Sequence, residues 1–309
     1  MAVLSLKRNK IKMQADDVAR RNPMHKKHLI ILFVFFCVYA FFIIFPYLWV
    51  IVSSLKTKTD FYDNPIGLPS SFVWNNYLEI FKLEDYSLPV MFKNTLILCF
   101  VCPTLSCLSG TLAGYVMAKY SFKGRKFIYA LYILPMLISL CGTSMSTYKL
   151  ICSDDGLINL KGSFFSLFIL ACNGTGMNFL LIYSLFASVS DTYMEAAEID
   201  GAGYYAIFVN VMLPHAMGLS GTLWIMPFIG QWNDYAEKNI RLGYQPEYAT
   251  IATGIQKLTE KVEESGGELN GNYPVLYASI VLTVIPMVIL FLCFQKQIMK
   301  LSLGGGIKE

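Results

Sequence analysis

Charge is scarce in this chain: Asp, Glu, Lys and Arg together make up 15% of its 309 residues, where an average soluble domain carries roughly 25%. Hydrophobic residues make up 55%, among them 22 Phe, 19 Tyr and 4 Trp, and the mean hydropathy is +0.50. So few charges cannot cover that much apolar surface in water, which excludes a soluble globular protein. Histidine is scarcer still. His25 and His28 stand beside Lys26 and Lys27 as an interfacial cationic cluster, and His215 follows Leu213 and Pro214, so no His-centred catalytic set is visible. A phosphate-binding loop is missing as well, because Gly156-Leu-Ile-Asn-Leu-Lys-Gly-Ser163 places its lysine before the second glycine. The chain is therefore expected to be no enzyme and to bind no metal, no nucleotide cofactor and no nucleic acid itself.

The missing charge has an address. Six intervals, 28–55, 94–118, 127–148, 162–190, 201–233 and 269–295, contain no Asp, Glu, Lys or Arg. Each reaches the roughly 20 residues that a helix needs to cross about 30 Å of hydrocarbon. The expected fold is all-α, a polytopic membrane protein with six spans near 29–52, 94–118, 127–148, 163–187, 215–232 and 274–294. The connections 1–28, 119–126, 188–214 and 295–309 hold fifteen Lys and Arg, against ten in the longer 53–93, 149–162 and 233–273. The positive-inside tendency then places both termini in the cytoplasm. This divides the chain into a basic N-terminal segment 1–28, a six-helix transmembrane domain 29–294 and a glycine-rich tail 295–309. The basic run Lys7, Arg8, Lys10 and Lys12 precedes a segment of spanning length with no small-residue cleavage site, so the first helix is expected to stay.

Seven of the eight cysteines fall within the expected spans. Cys99 and Cys102 have redox-pair spacing but no second pair or nearby His, and read as packing residues. Gly110-x-x-x-Gly114, with Ala118 four further on, is a small-residue ridge that admits a close helix, either within this chain or from a second membrane subunit. Asn173-Gly-Thr matches a glycosylation acceptor but falls inside the fourth expected span, out of reach of a modifying enzyme.

One connection breaks the charge rule. Segment 191–214, expected in the cytoplasm, has no Lys or Arg yet carries Asp191, Glu195, Glu198 and Asp200. Met194-Glu-Ala-Ala-Glu198 is made of helix formers, Gly201 can stop a helix by accepting positive φ, and 204–212 can resume as an amphipathic helix ending before Pro214. Two short helices with acids at their exposed end suit a basic groove on a cytoplasmic partner.

Glu195-Ala-Ala-x-x-Asp200-Gly201-Ala, followed by Phe208 and Leu213-Pro214, resembles the EAA coupling loop of ABC importer membrane subunits. Over most of the chain the likeness extends to carbohydrate-uptake permeases of the maltose type. It is carried by Pro46 to Lys56, Asn76-Tyr77, Asn94-Thr-Leu, Gly114 to Arg125, Trp232-Asn233-Asp234 and the glycine-rich end. The resemblance implies that Glu195, Ala196, Ala197, Asp200 and Gly201, with Leu213 and Pro214 behind them, engage a cleft of an ATP-hydrolysing subunit. It implies that Gly304, Gly305, Gly306 and Lys308 belong to a tail that reaches between two such subunits. It also implies a second homologous permease subunit, ATP and Mg bound in the ATPase subunits, and an extracellular lipid-anchored or periplasmic solute-binding protein, all at the cell membrane. The chain departs from the family pattern in having Gly218 where a second proline often follows Leu-Pro, and in its longer, more acidic outer loop 233–273.

Sugars are held by hydrogen bonds and stacking faces rather than ion pairs, so Tyr132, Thr147, Asn173 and Asn178 are the candidates for a substrate path within the spans. An ion-gradient-driven transporter is the alternative from another class, but such proteins place an ionisable residue within a span and none is present here. A membrane docking subunit with no transport role is the other.

Overall fold

In a computed structural model the chain is described over residues 23–83, 85–137, 143–154, 156–264 and 269–304, with side chains from residue 28 to 295. Every regular element among the described residues is helical. The chain divides into two compact units, 1–73 and 74–309. The segment 1–22, and with it most of the basic N-terminal segment, lies outside the described residues.

The first unit contains the long helix α1 (Pro23–Ser54) and the short α2 (Lys58–Asp63). Apolar side chains from Leu29 to Leu48 stand exposed all around α1, the pattern of a helix whose solvent is lipid. Beyond it, Thr57 caps α2 by accepting from the Asp60 backbone N–H at 3.1 Å. Asp60 in turn accepts from the Ser70 backbone N–H at 3.0 Å and the Ser70 hydroxyl at 2.7 Å. These two bonds hold its carboxyl below the usual carboxylate range.

The second unit opens with α3 (Asn75–Glu79), then the 32-residue α4 (Leu88–Lys119). Next come α5 (Arg125–Leu137), α6 (Thr143–Cys152), α7 (Phe165–Ala171) and α8 (Met177–Ser188). The acidic segment forms α9 (Thr192–Ile199) and α10 (Tyr204–Ile207), which runs through a π-helical turn, Phe208–Met212, into α11 (Leu213–Asn233). Segment 233–273 contributes α12 (Ala236–Leu242) and α13 (Ile251–Glu263), and α14 (Tyr273–Gly304) follows.

Among the described residues four helical stretches are long and apolar enough to cross a membrane: His28–Ser54, Leu88–Lys119, Tyr204–Asn233 and Tyr273–Gln295. Of the expected span 127–148, residues 127–137 lie in α5 and 143–148 in α6, and 138–142 lie outside the described residues. The expected span 163–187 is broken between α7 and α8, where Gly174 and Gly176 adopt φ of +50° and +78°. That break is a packing device. A Cβ on Gly110 would meet the Gly174 carbonyl oxygen at 3.1 Å, and one on Gly114 would meet Ile182 Cγ2 at 2.9 Å. The small-residue ridge thus admits α8 and the turn before it, deciding for internal packing at these two glycines.

The helix expected to end before Pro214 instead continues into α11. A proline inside an α-helix loses its own hydrogen bond and crowds the carbonyl four residues back. Here the backbone widens just ahead of it: the Leu213 N–H reaches the Phe208 carbonyl, a five-residue step. Segment 233–273 is also more than a tether. Ile251, Leu258 and Val262 of α13 are buried with Ile80, Met91 and Val275 in one apolar cluster, and a Thr250–Thr253 capping box starts the helix.

Candidate functional site

Gly201 ends α9 in the way its sequence position suggests. With φ at +79°, it donates its N–H to the Glu198 carbonyl at 3.0 Å, while the Ala202 N–H reaches back to Ala197 at 2.9 Å. This is the double bond set of a Schellman cap, which only a residue tolerant of left-handed backbone completes without strain. A Cβ at Gly201 would meet no atom within 4 Å, so it is backbone geometry rather than space that requires glycine here.

The cap turns the chain so that α9 presents two faces. Met194 is buried, and Ala197 packs against the same cluster, which comprises Tyr115 of α4, Ile182 and Phe186 of α8, Ile207, Met212 and Ala216. Glu195, Ala196, Glu198 and Asp200 are exposed on the other side. Ile199 is 86% exposed, Tyr204 72% and Tyr205 80%. Exposed apolar and acidic side chains therefore share this end of the segment. Leu213 is partly buried and Pro214 exposed, both behind the π turn rather than at the tip. The acids were legible in the sequence; Ile199, Tyr204 and Tyr205 were not, because an apolar residue next to a membrane span reads as part of the membrane face.

Of the candidate tail, Gly304 is the last residue of α14, and Gly305, Gly306 and Lys308 lie outside the described residues.

A cavity of about 600 Å³ lies among α5, α6, α7, α11 and α12. Thr147 and Asn173 line it, with Gln231, Asp234, Glu237 and Arg241. Tyr132 lies elsewhere, on a 440 Å³ pocket beside Ser109 and Phe122, with its ring 4.6 Å from that of Phe179. Asn178 lines neither cavity. The four candidates are therefore not one site: two share a polar cavity, Tyr132 sits on another, and Asn178 is apart.

One ion pair stands in the polar cavity, Arg241 with Glu237, while the Asp234 carboxylate accepts the Glu237 backbone N–H at 3.2 Å. Arg241, 1% exposed, donates from Nε to Glu237 Oε2 at 2.9 Å and from Nη2 to Thr147 Oγ1 at 2.7 Å. The second Glu237 oxygen accepts from the Ser144 hydroxyl. Lys238, fully buried nearby, donates to the Gln231 backbone carbonyl, and burial pushes its ammonium below the usual lysine range. Gln231 Oε1 and Arg241 Nη1 are buried without a hydrogen-bond partner. With the hydroxyls of Thr143, Ser144 and Thr147, the amides of Asn173 and Gln231, and the carboxylates of Asp234 and Glu237, the lining can both donate to and accept from a hydroxylated molecule. Glu237 and Arg241 were missed in the sequence because they read as loop charges; the neighbouring Trp232-Asn233-Asp234 run was the available signal.

Residues 110–300 match the binding-protein-dependent transport system inner membrane component family. The chain is 28% identical over 262 residues to the diacetylchitobiose uptake system permease protein NgcG of Streptomyces coelicolor, covering 83% of this chain and 81% of that protein. It is 28% identical over 265 residues to the melibiose/raffinose/stachyose import permease protein MelC of Bacillus subtilis, covering 85% and 91%. Its fold is similar to a chain in the crystal structure of a bacterial ABC transporter involved in the import of the acidic polysaccharide alginate. There the TM-score is 0.74 at 19% identity, over 89% of this chain and 98% of that one.

Proposed function

The chain belongs to the binding-protein-dependent transport system inner membrane component family, and from that premise we propose that it is the membrane-spanning permease subunit of an ATP-driven sugar importer. It is a multi-pass membrane protein. In this reading the short apolar helices α5 to α8 complete six crossings with both termini inside. The chain pairs with a second permease, and two cytoplasmic ATPase subunits bind ATP and Mg and hydrolyse the nucleotide. A solute-binding protein outside delivers an oligosaccharide. The tail around Gly304 to Lys308 contacts the ATPases.

The observation that carries the reading is the Schellman-capped acidic helix 192–199, seated by Met194 on α4 and α8 with its acids and Ile199 exposed. A groove on one ATPase takes this tip, and its movement on ATP binding turns the helices beneath as a body. The Thr147–Asn173 cavity lies on the sugar path. Glu195→Lys reverses charge at the tip and Gly201→Asp strains the cap; either is expected to abolish uptake in cells expressing the complete transporter, with ATPase association lost in pull-down. Uptake at the wild-type rate in both would sink the coupling assignment. Deleting 304–309 tests the tail: reduced ATP hydrolysis in the assembled complex is expected, and an unchanged rate removes the tail from the mechanism.

A further inference from the structure

Lys119 is the last residue of α4, and its side chain is only 3% exposed. Its ammonium reaches two elements at once, donating to the Val189 carbonyl at 2.5 Å and to Asp191 Oδ1 at 2.6 Å. Val189 is the C-cap of α8 and Asp191 the N-cap of α9. One cation therefore joins the unpaired, negative end of one helix to the first residue of the next. Asp191 makes no side-chain bond to the N-terminus of its own helix; its carboxylate is held by Lys119 instead.

The same end of α4 also holds the far side of the segment. The Tyr115 and Tyr120 hydroxyls are 2.9 Å apart. The Tyr115 ring lies 5.0 Å from that of Phe208, and the Tyr120 ring 6.1 Å from that of Tyr204. The acidic segment is thus fixed to α4 where the chain enters it and again where it leaves.

We propose that Lys119 is a positioning residue for the coupling step, latching the entry of the acidic helix α9 to α4 so that displacing the helix displaces α4 with it. The proposal rests on the coupling role given above to segment 191–214. Separating the two helices would leave the Lys119 ammonium, on a side chain 3% exposed, without the Val189 carbonyl and the Asp191 carboxylate that now satisfy it.

The test uses the complete transporter in proteoliposomes, measuring ATP hydrolysis with and without the sugar-loaded binding protein, and sugar uptake. In Lys119→Met, basal hydrolysis is expected to persist while stimulated hydrolysis and uptake fall about tenfold, the size of a typical coupling between sites. A merely structural defect would lower basal and stimulated rates together. Lys119→Arg, which keeps the charge and several donors, restores both. Wild-type uptake in an assembled Lys119→Met transporter overturns the proposal. If that variant does not assemble, Asp191→Asn decides, because its carboxylate is 74% exposed and its loss leaves the Val189 bond in place; reduced stimulation supports the latch and unchanged stimulation overturns it. Glu195→Lys in the same assay separates the two levels. If it too transports normally the coupling reading fails, whereas if it alone abolishes uptake only the latch fails.

Discussion

A methyl group on Gly174 would sit 2.3 Å from the Gly110 nitrogen, on a backbone already at φ +50°. Gly174→Ala therefore combines left-handed strain with a backbone clash and is expected to cost about 1–3 kcal/mol, visible as a lowered unfolding temperature in detergent. Gly218 is the control: a Cβ there meets nothing within 4 Å, and Gly218→Ala should hold or raise that temperature, since alanine is favoured over glycine in a helix by about 1 kcal/mol. Asn94 is a second single-residue dependence. Its amide donates to the Glu247 and Ala249 carbonyls at 2.8 and 2.9 Å, and the neighbouring Thr95 hydroxyl accepts from the Ile251 N–H at 2.8 Å. Asn94→Leu leaves two carbonyls without their donor, at about 1–3 kcal/mol for each buried group. Faster amide exchange across 245–256 is the expected sign, and unchanged exchange would show that the anchor lies elsewhere. The sequence displayed Asn94-Thr as a signature but not this role, because its partners lie about 150 positions away.

Among the elements, α13 was the least legible. Residues 233–273 read as a long acidic loop because their charges dominate composition, yet Ile251, Leu258 and Val262 lie on one helical face and are buried. That burial, at about 1.5–3 kcal/mol per side chain, outweighs the roughly 1 kcal/mol contributed by the Thr250 cap. Thr250→Ala should accordingly fray the first turn of α13 in hydrogen exchange without releasing the helix. Near α2 the relevant variable is pH. The Asp60 carboxyl is held below its ordinary value of 3.8 by Ser70, so the bonds stabilise the turn above that value and are lost as pH falls through the lower, folded one. Pepsin cleavage within 58–73 is expected to accelerate as pH drops below about 4 in the native chain. Asp60→Asn should show no such pH-dependent onset. The acidic helix was legible nearly in full, cap included, since its signals are local. The π turn was not, because the sequence around Pro214 argues equally for a stop and for a widened helix.

At the scale of the molecule, the missing charge identified the solvent but not every crossing. Among the described residues four long stretches follow it directly, whereas the charge-free interval 162–190 is used in two shorter helices whose boundary depends on Gly174 packing against Gly110 of α4. A whole-chain prediction follows from α4 itself, which has 32 residues and a length of about 48 Å at 1.5 Å per residue. Hydrocarbon is about 30 Å thick, and tilting by about 40° shortens the helix's projection only to about 37 Å. The helix is thus longer than the hydrocarbon is thick, and its ends, with Lys93 near one and Lys119 at the other, protrude into the headgroups. Lengthening or shortening that protrusion by tilt costs fractions of a kcal/mol per Å, but drawing the Lys119 ammonium toward the bilayer centre costs about 2.5–3.5 kcal/mol. The helix is therefore free to rock and hindered from sliding like a piston. Spin labels at its two ends should change their separation from fixed helices in opposite senses when the transporter binds ATP, and a parallel shift of both along the membrane normal would contradict it.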